Sequence, residues 1–501
     1  MTNSISNSRS HFILAFSAIL LFLILAIGSS LTHRPQIDEG MFASPAFNLA
    51  TKGHFGTTVL EIEGSPLTRI NERTYWVMPL FLLNVSASFK VFGFSLFTMR
   101  LVSVFWGLIL LIAWYFIVWK LSNNRNVALL CLFLLACNFT VLDTASSGRM
   151  DIMSAALGFA ALAVYLVWRE RNLMWAVFLS QCLVAASGLT HPNALMAFFG
   201  LIFLTLYLDF RRLGLRYIAV ALFPYLAAGT AFGWWILQDP EAFRTQFIDN
   251  ALMSGRMKGA SSPLSGIIRE FTEKYPHAHG LTATSGGHTG PIYLKSLILV
   301  GYILGVLGVV FTKSLRQNRN YFTLLILTAI YFIVMSVIDG QKQTPYLIHI
   351  VPFYCALLAI WLEWAWQRRF VPRLLLIFGI GLLVAVSAGG MALRIKQNTY
   401  GNFYQPTVDF LKQNTTEKEM IMASSDFGFG LEFPDNLVDD GRFAYKTGKR
   451  PKFIIYDSGV ESSWLESKEF FPEFYEYLPR LLQEEYQVAY ENAAYKVYVH
   501  R

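Results

Sequence analysis

The sequence predicts a mainly α, polytopic helical membrane protein of about 11 transmembrane helices, ending in a small C-terminal α/β domain outside the membrane. Three observations carry this. Of 501 residues, 54% are hydrophobic and only 15% charged, where a soluble domain carries roughly 25% charged residues. Mean hydropathy is +0.43, and apolar runs long enough to cross a bilayer recur along the chain. Beyond about residue 394 the composition turns polar and mixed in charge.

The runs fall near 11–31, 98–119, 127–143, 152–168, 174–190, 194–208, 215–237, 291–311, 321–338, 345–363 and 372–393. The first lacks a small-x-small cleavage pattern and reads as an uncleaved helix rather than a signal peptide. The stretch 174–208 also reads as one hairpin interrupted around Gly188–Pro192. Tyr75 to Phe92 is broken by Pro79, Asn84, Ser86, Ser88 and Lys90. It reads as a helix along or just outside the membrane. Cys131, Cys137, Cys182 and Cys355 all sit inside apolar runs and read as small buried hydrophobes.

One set of loops is basic: Lys120 and Arg125, Arg169 and Arg171, Arg211 to Arg216, Lys313 to Arg319, Arg368 to Arg373. The positive-inside rule places that set, and the N-terminus, in the cytoplasm. The net charge of +8 is therefore topology information and not a nucleic-acid footprint. Three larger pieces, 32–97, 238–290 and the tail, then share the external, periplasmic face. Residues 1–394 form the membrane module and 395–501 the soluble domain. In the tail, Met420–Met422, Lys452–Tyr456 and Tyr495–Val499 read as strands, with a helix over Glu473–Glu485.

Asp38 and Glu39 follow the first helix directly. They read either as a solvated acidic turn or as catalytic groups. A carboxylate at that depth can take a proton from a hydroxyl acceptor, and its neighbour can orient the site or hold a divalent metal ion. Ser146–Asp151 brings Arg149 and Asp151 to the threshold of the fourth span, where an ion pair is costly unless it caps the helix or serves a site. His191-Pro192 breaks the chain at membrane depth. It reads as a structural turn, or as a group for a phosphate or metal. The glycine-bearing loop 238–290 offers Arg256 and Lys258 to an anionic ligand and reads as mobile. Its His277, His279 and His288 invite a metal reading, but their spacing fits no strong template and a plain flexible loop is the favoured one. Lys342 and Tyr346 flank the start of a late helix, where a lysine snorkels or meets a lipid phosphate.

Assembled, these residues resemble the GT-C superfamily of polyprenyl-phosphate-sugar-dependent glycosyltransferases. The likeness is to the family 39, or protein-mannosyltransferase-like, group, which includes the bacterial enzyme that moves aminoarabinose onto lipid A. Asp38-Glu39-Gly40 matches the acidic motif of the first external loop. Tyr75–Leu80, Phe89–Gly93 and Met99-Arg100-Leu101 resemble the next landmarks. Gly148–Asp151, Gly188–Pro192 and Tyr346–Pro352 follow in order, so the likeness covers roughly residues 11–365. The chain departs from the family at Met78-Pro79, where a doubled proline is common. It departs again in lacking a lysine just before that pair, and at Thr190-His191-Pro192 in place of a Thr-Lys-Gly turn. Arg73, Arg149, Arg256 and Lys342 all stay open as the phosphate-contacting cation.

The resemblance implies inverting transfer of a sugar from a polyprenyl-phosphate carrier to a hydroxyl acceptor (protein, lipid or glycan) at the external face of the inner membrane. Asp38 is the expected base. Arg73, Arg149, Asp151, His191, Arg256, Lys258, Lys342 and Tyr346 are the expected substrate-binding residues. The alternative is a transporter or flippase of a lipid-linked or anionic solute; no half-chain repeat supports it. A bare membrane anchor for the tail leaves the acids at 38, 39 and 151 unexplained.

Overall fold

The computed structural model describes residues 2–282 and 292–501. The expected apolar runs fall in helices, and among the described residues eight helices are long and apolar enough to cross a membrane. The chain is thus an integral membrane protein by the length and composition of its helices. The first ten are α1 (Thr2–Thr32), α2 (Ile37–Lys52), α3 (Pro79–Phe92), α4 (Leu96–Ser122), α5 (Arg125–Ala136), α6 (Phe139–Ala145), α7 (Asp151–Trp168), α8 (Leu173–Gly188), α9 (Ala194–Asp209) and α10 (Leu215–Ile236). The expected span 127–143 is α5 and α6 with a 60° bend between them, a ninth crossing if the pair counts as one. Asn138 explains the break: its side chain accepts N–H bonds from Thr140 and Val141 and so starts a new helix.

Besides that bent pair, two more expected spans fall outside the eight. Helix α8 has 16 residues, and Val351–Arg368 carries Glu363 among its tryptophans. The stretch 79–92 forms α3, whose 14 residues are too few for a bilayer's hydrocarbon core. Membrane helices gain little from burying apolar surface against one another, so close approach and packing hold the bundle. A Cβ on Gly107 would stand 2.7 Å from Phe22, one on Gly158 would stand 2.7 Å from Ala197, and one on Gly305 would stand 2.7 Å from the Leu358 backbone. Trp114 fills the centre, edge-on to Phe159 at 5.0 Å and to Phe353 at 4.7 Å.

The tail forms a five-stranded sheet in the order β2-β1-β3-β5-β4. Its strands are β1 (Ile421–Met422), β2 (Leu437–Val438), β3 (Phe453–Asp457), β4 (Tyr486–Glu491) and β5 (Tyr495–His500). β1 pairs parallel with β2 and β3, while β5 runs antiparallel to both β3 and β4. The central strand needs apolar residues on both faces, and Phe453, Ile454 and Ile455 are all buried. Helix Pro472–Glu485 lays Phe474, Leu478 and Leu481 onto this sheet. The tail is clasped to the loop after α2: Leu60 bridges Asp439, and Lys449 pairs with Glu61 at 2.5 Å.

The loop expected to be mobile is, through residue 282, a chain of short helices from Pro240–Phe243 to Tyr275–Ala278. A buried ionic quartet fastens it. Lys274 reaches Asp339 at 2.7 Å, and Lys342 reaches Glu270 at 2.8 Å. His288 lies outside the described residues. His279 is buried, its Nδ1 on the Tyr275 carbonyl at 2.9 Å, and so serves packing.

Candidate active site

Four residues separate α1 from α2, so the chain turns sharply as it leaves the first span. Glu39 fixes the turn. One of its carboxylate oxygens accepts the Gln36 N–H at 2.9 Å, which caps α2 at its own first turn. The other accepts the Gly148 N–H at 2.6 Å and so ties α2 to the loop before α7. Arg100, buried one turn into α4, grips both oxygens at 2.8 and 2.7 Å. Its remaining N–H groups donate to the carbonyls of Ser30, His33 and Arg34. Burial alone would raise the Glu39 pKa, but Arg100 and the two backbone donors outweigh it and hold the carboxyl below its usual range. Of the roles the sequence left open for Glu39, this geometry supplies orientation. The carboxylate is fully enclosed, with no open face for a substrate or metal.

Asp38 points the other way. Its side chain is 46% exposed, and one oxygen is bound by the Arg149 guanidinium. Arg149 also donates from Nε to Asp151 Oδ2 at 2.9 Å, with Asp151 wholly buried at the start of α7. The result is a file of Asp38, Arg149 and Asp151 running from open space into the protein. It ends on Asp151 Oδ1, which has no hydrogen-bond partner among the described residues. His191 and Tyr346 sit beyond it, with ring centroids 5.0 Å apart. Arg256 is exposed, and its charge acts on both His191 and Tyr346. His191 Nδ1 accepts the Asn193 N–H, so the ring also shapes the turn before α9.

The sequence-nominated residues therefore divide. Asp38, Arg149, Asp151, His191 and Tyr346 come together, and Arg256 acts on His191 and Tyr346 through its charge. Lys342 is held away from any ligand: its Nζ is buried between Glu270 and the Ser336 carbonyl at 2.9 Å. Arg73 bonds Gln238 and stacks on Trp235, and these contacts lie outside the cluster. Lys258 is exposed beside Gly255. Among the described residues, no three or more His, Cys, Asp or Glu side chains gather as a metal centre.

Sequence reasoning passed over Arg100 as a positioning group, although a lone cation one turn inside an apolar span is a legible signal. It also missed Lys274, 6.0 Å from the Tyr346 ring centroid. A third omission was the tail's direct hold on α2. A Cβ on Gly40 would stand 2.2 Å from the Ser425 backbone, so only glycine lets the segment 425–427 lie against the helix that carries Asp38.

Fold and cluster together define a polytopic membrane protein whose acid–arginine–acid file opens beneath an extramembrane sheet. Among solved structures, the chain is similar to ArnT from Cupriavidus metallidurans bound to undecaprenyl phosphate. That likeness has 14% identity over 97% of each chain and a TM-score of 0.61. It is also similar to the Archaeoglobus fulgidus oligosaccharyltransferase AglB, in complex with an inhibitory peptide and a dolichol-phosphate. There the identity is 12% over 99% of this chain and 74% of AglB, with a TM-score of 0.53. No family model matches the sequence. An uncharacterized Aquifex aeolicus protein is 25% identical over 248 residues, which cover 48% of this chain and 45% of that protein.

Proposed function

We propose that the protein is an inverting glycosyltransferase that moves a sugar from a polyprenyl-phosphate carrier to a hydroxyl acceptor at the external face of the membrane. The observation that carries the reading is the Asp38–Arg149–Asp151 file. A half-exposed carboxylate is held in one orientation, with its second oxygen open to receive a proton. As the acceptor hydroxyl attacks the anomeric carbon, its proton passes to Asp38. The bond from that carbon to the phosphate oxygen breaks, and negative charge builds on the departing phosphate. Arg256, with Arg149 behind it, is placed to hold that charge more tightly as it grows.

Tyr346 and His191 shape the wall against which the phosphate sits, and Asp151 fixes Arg149. The fold shared with a protein bound to undecaprenyl phosphate and another in complex with dolichol-phosphate supports a lipid-linked donor. The basic loops support a cytoplasmic N-terminus, an external site and an external tail. The test is direct. Purified protein is incubated with polyprenyl-phosphate sugars, and release or transfer of the sugar is followed. No release from any such donor overturns the reading.

A further inference from the structure

Successive residues of an α-helix point about 100° apart, so Asp38, Glu39 and Gly40 occupy three different faces of the first turn of α2. Asp38 faces open space and Arg149. Glu39 faces the membrane module, held by Arg100 and the Gly148 N–H. Gly40 faces the tail, so close to Ser425 that a Cβ there would stand 2.2 Å from its backbone. The direction of Asp38 is fixed once the other two faces are held. The membrane helices supply the first hold and the extramembrane sheet supplies the second.

That second hold is a closed ring. Ser44 and Asn48 follow Gly40 at intervals of four residues and so share its stripe of α2. Ser44 Oγ accepts the Thr58 N–H at 3.2 Å, and Asn48 Nδ2 donates to the Gly56 carbonyl at 2.8 Å, which hangs the following loop on the helix. The chain runs on into Val59 and Glu61, which pair with the residue after β2. The Asp439 N–H donates to the Val59 carbonyl at 2.8 Å, and the Asp439 carbonyl accepts the Glu61 N–H at 3.0 Å. The Asp439 side chain then turns back toward α2. One of its oxygens accepts both the Ser425 N–H, at 2.8 Å, and the Ser425 hydroxyl. Ser425 is wholly buried and is the residue pressed on Gly40. Burial lifts the Asp439 carboxyl only to about 6, so at pH 7 both bonds are charge-assisted and about twice as strong as neutral ones. Asp439 is the joint at which the ring closes.

We propose that Asp439 and Ser425 are positioning residues of the transferase, through which the tail sets the direction in which Asp38 meets the acceptor hydroxyl. The proposal rests on the transferase reading for the chemistry, and on the ring alone for the clasp. A tail that only covered the membrane module would need neither a residue without Cβ at position 40 nor a carboxylate doubly engaged on Ser425.

The experiment compares full-length wild type, Asp439→Ala, Asp439→Asn and Ile454→Val in detergent. Asp439→Ala leaves both Ser425 donors without their acceptor. Its transfer kcat should fall by about 100-fold, the cost of a displacement on the order of 1 Å, with donor KM unchanged. Asp439→Asn should restore kcat, because its amide oxygen has two lone pairs for the same two donors. Ile454 is buried on the face of the sheet away from α2. Ile454→Val should therefore lower the unfolding midpoint and leave kcat at the wild-type value. Hydrogen–deuterium exchange supplies a reading that needs no turnover: the amides of α2 should exchange faster in Asp439→Ala than in wild type or Asp439→Asn, while those of α4 stay unchanged. Wild-type kcat in the alanine variant, an equal loss in Ile454→Val, or unchanged exchange over α2 overturns the proposal. If wild type cleaves no polyprenyl-phosphate sugar, the transferase reading fails, and the exchange over α2 still decides the clasp.

Discussion

Replacing Glu39 with glutamine removes the charge against which Arg100 is buried. The guanidinium keeps its carbonyl partners at Ser30, His33 and Arg34, but loses its counterion and one of the two short bonds to residue 39, where the amide nitrogen cannot accept. Breaking one side of a buried pair costs about 3–5 kcal/mol, because a charge is left without its counterion. The three remaining acceptors put this case near the lower end, about 3 kcal/mol. The cost falls on the seat of α2, since Glu39 also holds Gly148 and caps the helix. Misplacing a catalytic group by 1 Å can cost about 100-fold in rate, so donor cleavage should drop by about that factor while lipid-linked donor still binds.

A double-mutant cycle isolates the pair. Glu39→Leu/Arg100→Met should be less damaging than the sum of the single changes, by about 2 kcal/mol or more in thermal unfolding. The pH dependence has a definite sign. Because the folded state holds the Glu39 carboxyl below its usual range, the pair's contribution is full above that range. It is lost as pH falls through the depressed value. Additive single mutants, or a Glu39→Gln protein that melts and turns over like wild type, would refute the reasoning.

Gly40→Ala puts a methyl group into the Ser425 backbone and should cost about 1–3 kcal/mol by overpacking. Gly441→Ala, with nothing within 4 Å of the added carbon, should be nearly silent; unfolding midpoints of the two compare directly. Lys342→Met should lower the unfolding midpoint by leaving Glu270 undercompensated, whereas Arg256→Ala should raise donor KM at least tenfold with little change in melting. Equal behaviour of those two variants would remove the distinction drawn between an internal and a ligand-facing cation. For Asp426, whose folded pKa is raised to about 8, stability present at low pH is lost as pH rises. The loss is up to about 1.4 kcal/mol per unit between pH 5 and 8. Arg34, Asp457, Tyr495 and Tyr404 face this carboxyl. Asp426→Asn, neutral throughout, should flatten the wild-type decline in an unfolding series over that range.

Most of the membrane part is legible in the sequence because lipid admits only long apolar helices. The break at Asn138 and the short α8 are less visible, since an apolar run does not reveal where a helix stops and restarts. In the tail, Phe453–Tyr456 and Tyr495–Val499 announce strands by their apolar residues, but β2 has two residues and no pattern to detect. The helices of 240–278 hide behind glycines and prolines that suggest a loose loop. What fastens them, Lys274 and Lys342 on Glu270 and Asp339, joins segments more than 60 residues apart.

The site shows the same division. Arg149 and Asp151 are neighbours in one motif and Asp38 stands in another, so their residue types alone suggested chemistry, although only folding joins the two. Arg100 with Glu39 and Gly40 with Ser425 depend on elements far apart in the chain. Only folding brings those together, and no local spacing encodes them.

The central claim is that Asp38 takes the acceptor's proton as a sugar leaves its polyprenyl phosphate. The measurement that tests it most directly is transfer by Asp38→Asn beside wild type, in detergent, with radiolabelled polyprenyl-phosphate sugar at saturating concentration. Transfer should fall by at least about 100-fold, with donor affinity and unfolding midpoint within about twofold and a few degrees of wild type. Transfer at near wild-type rate in the asparagine variant would contradict it.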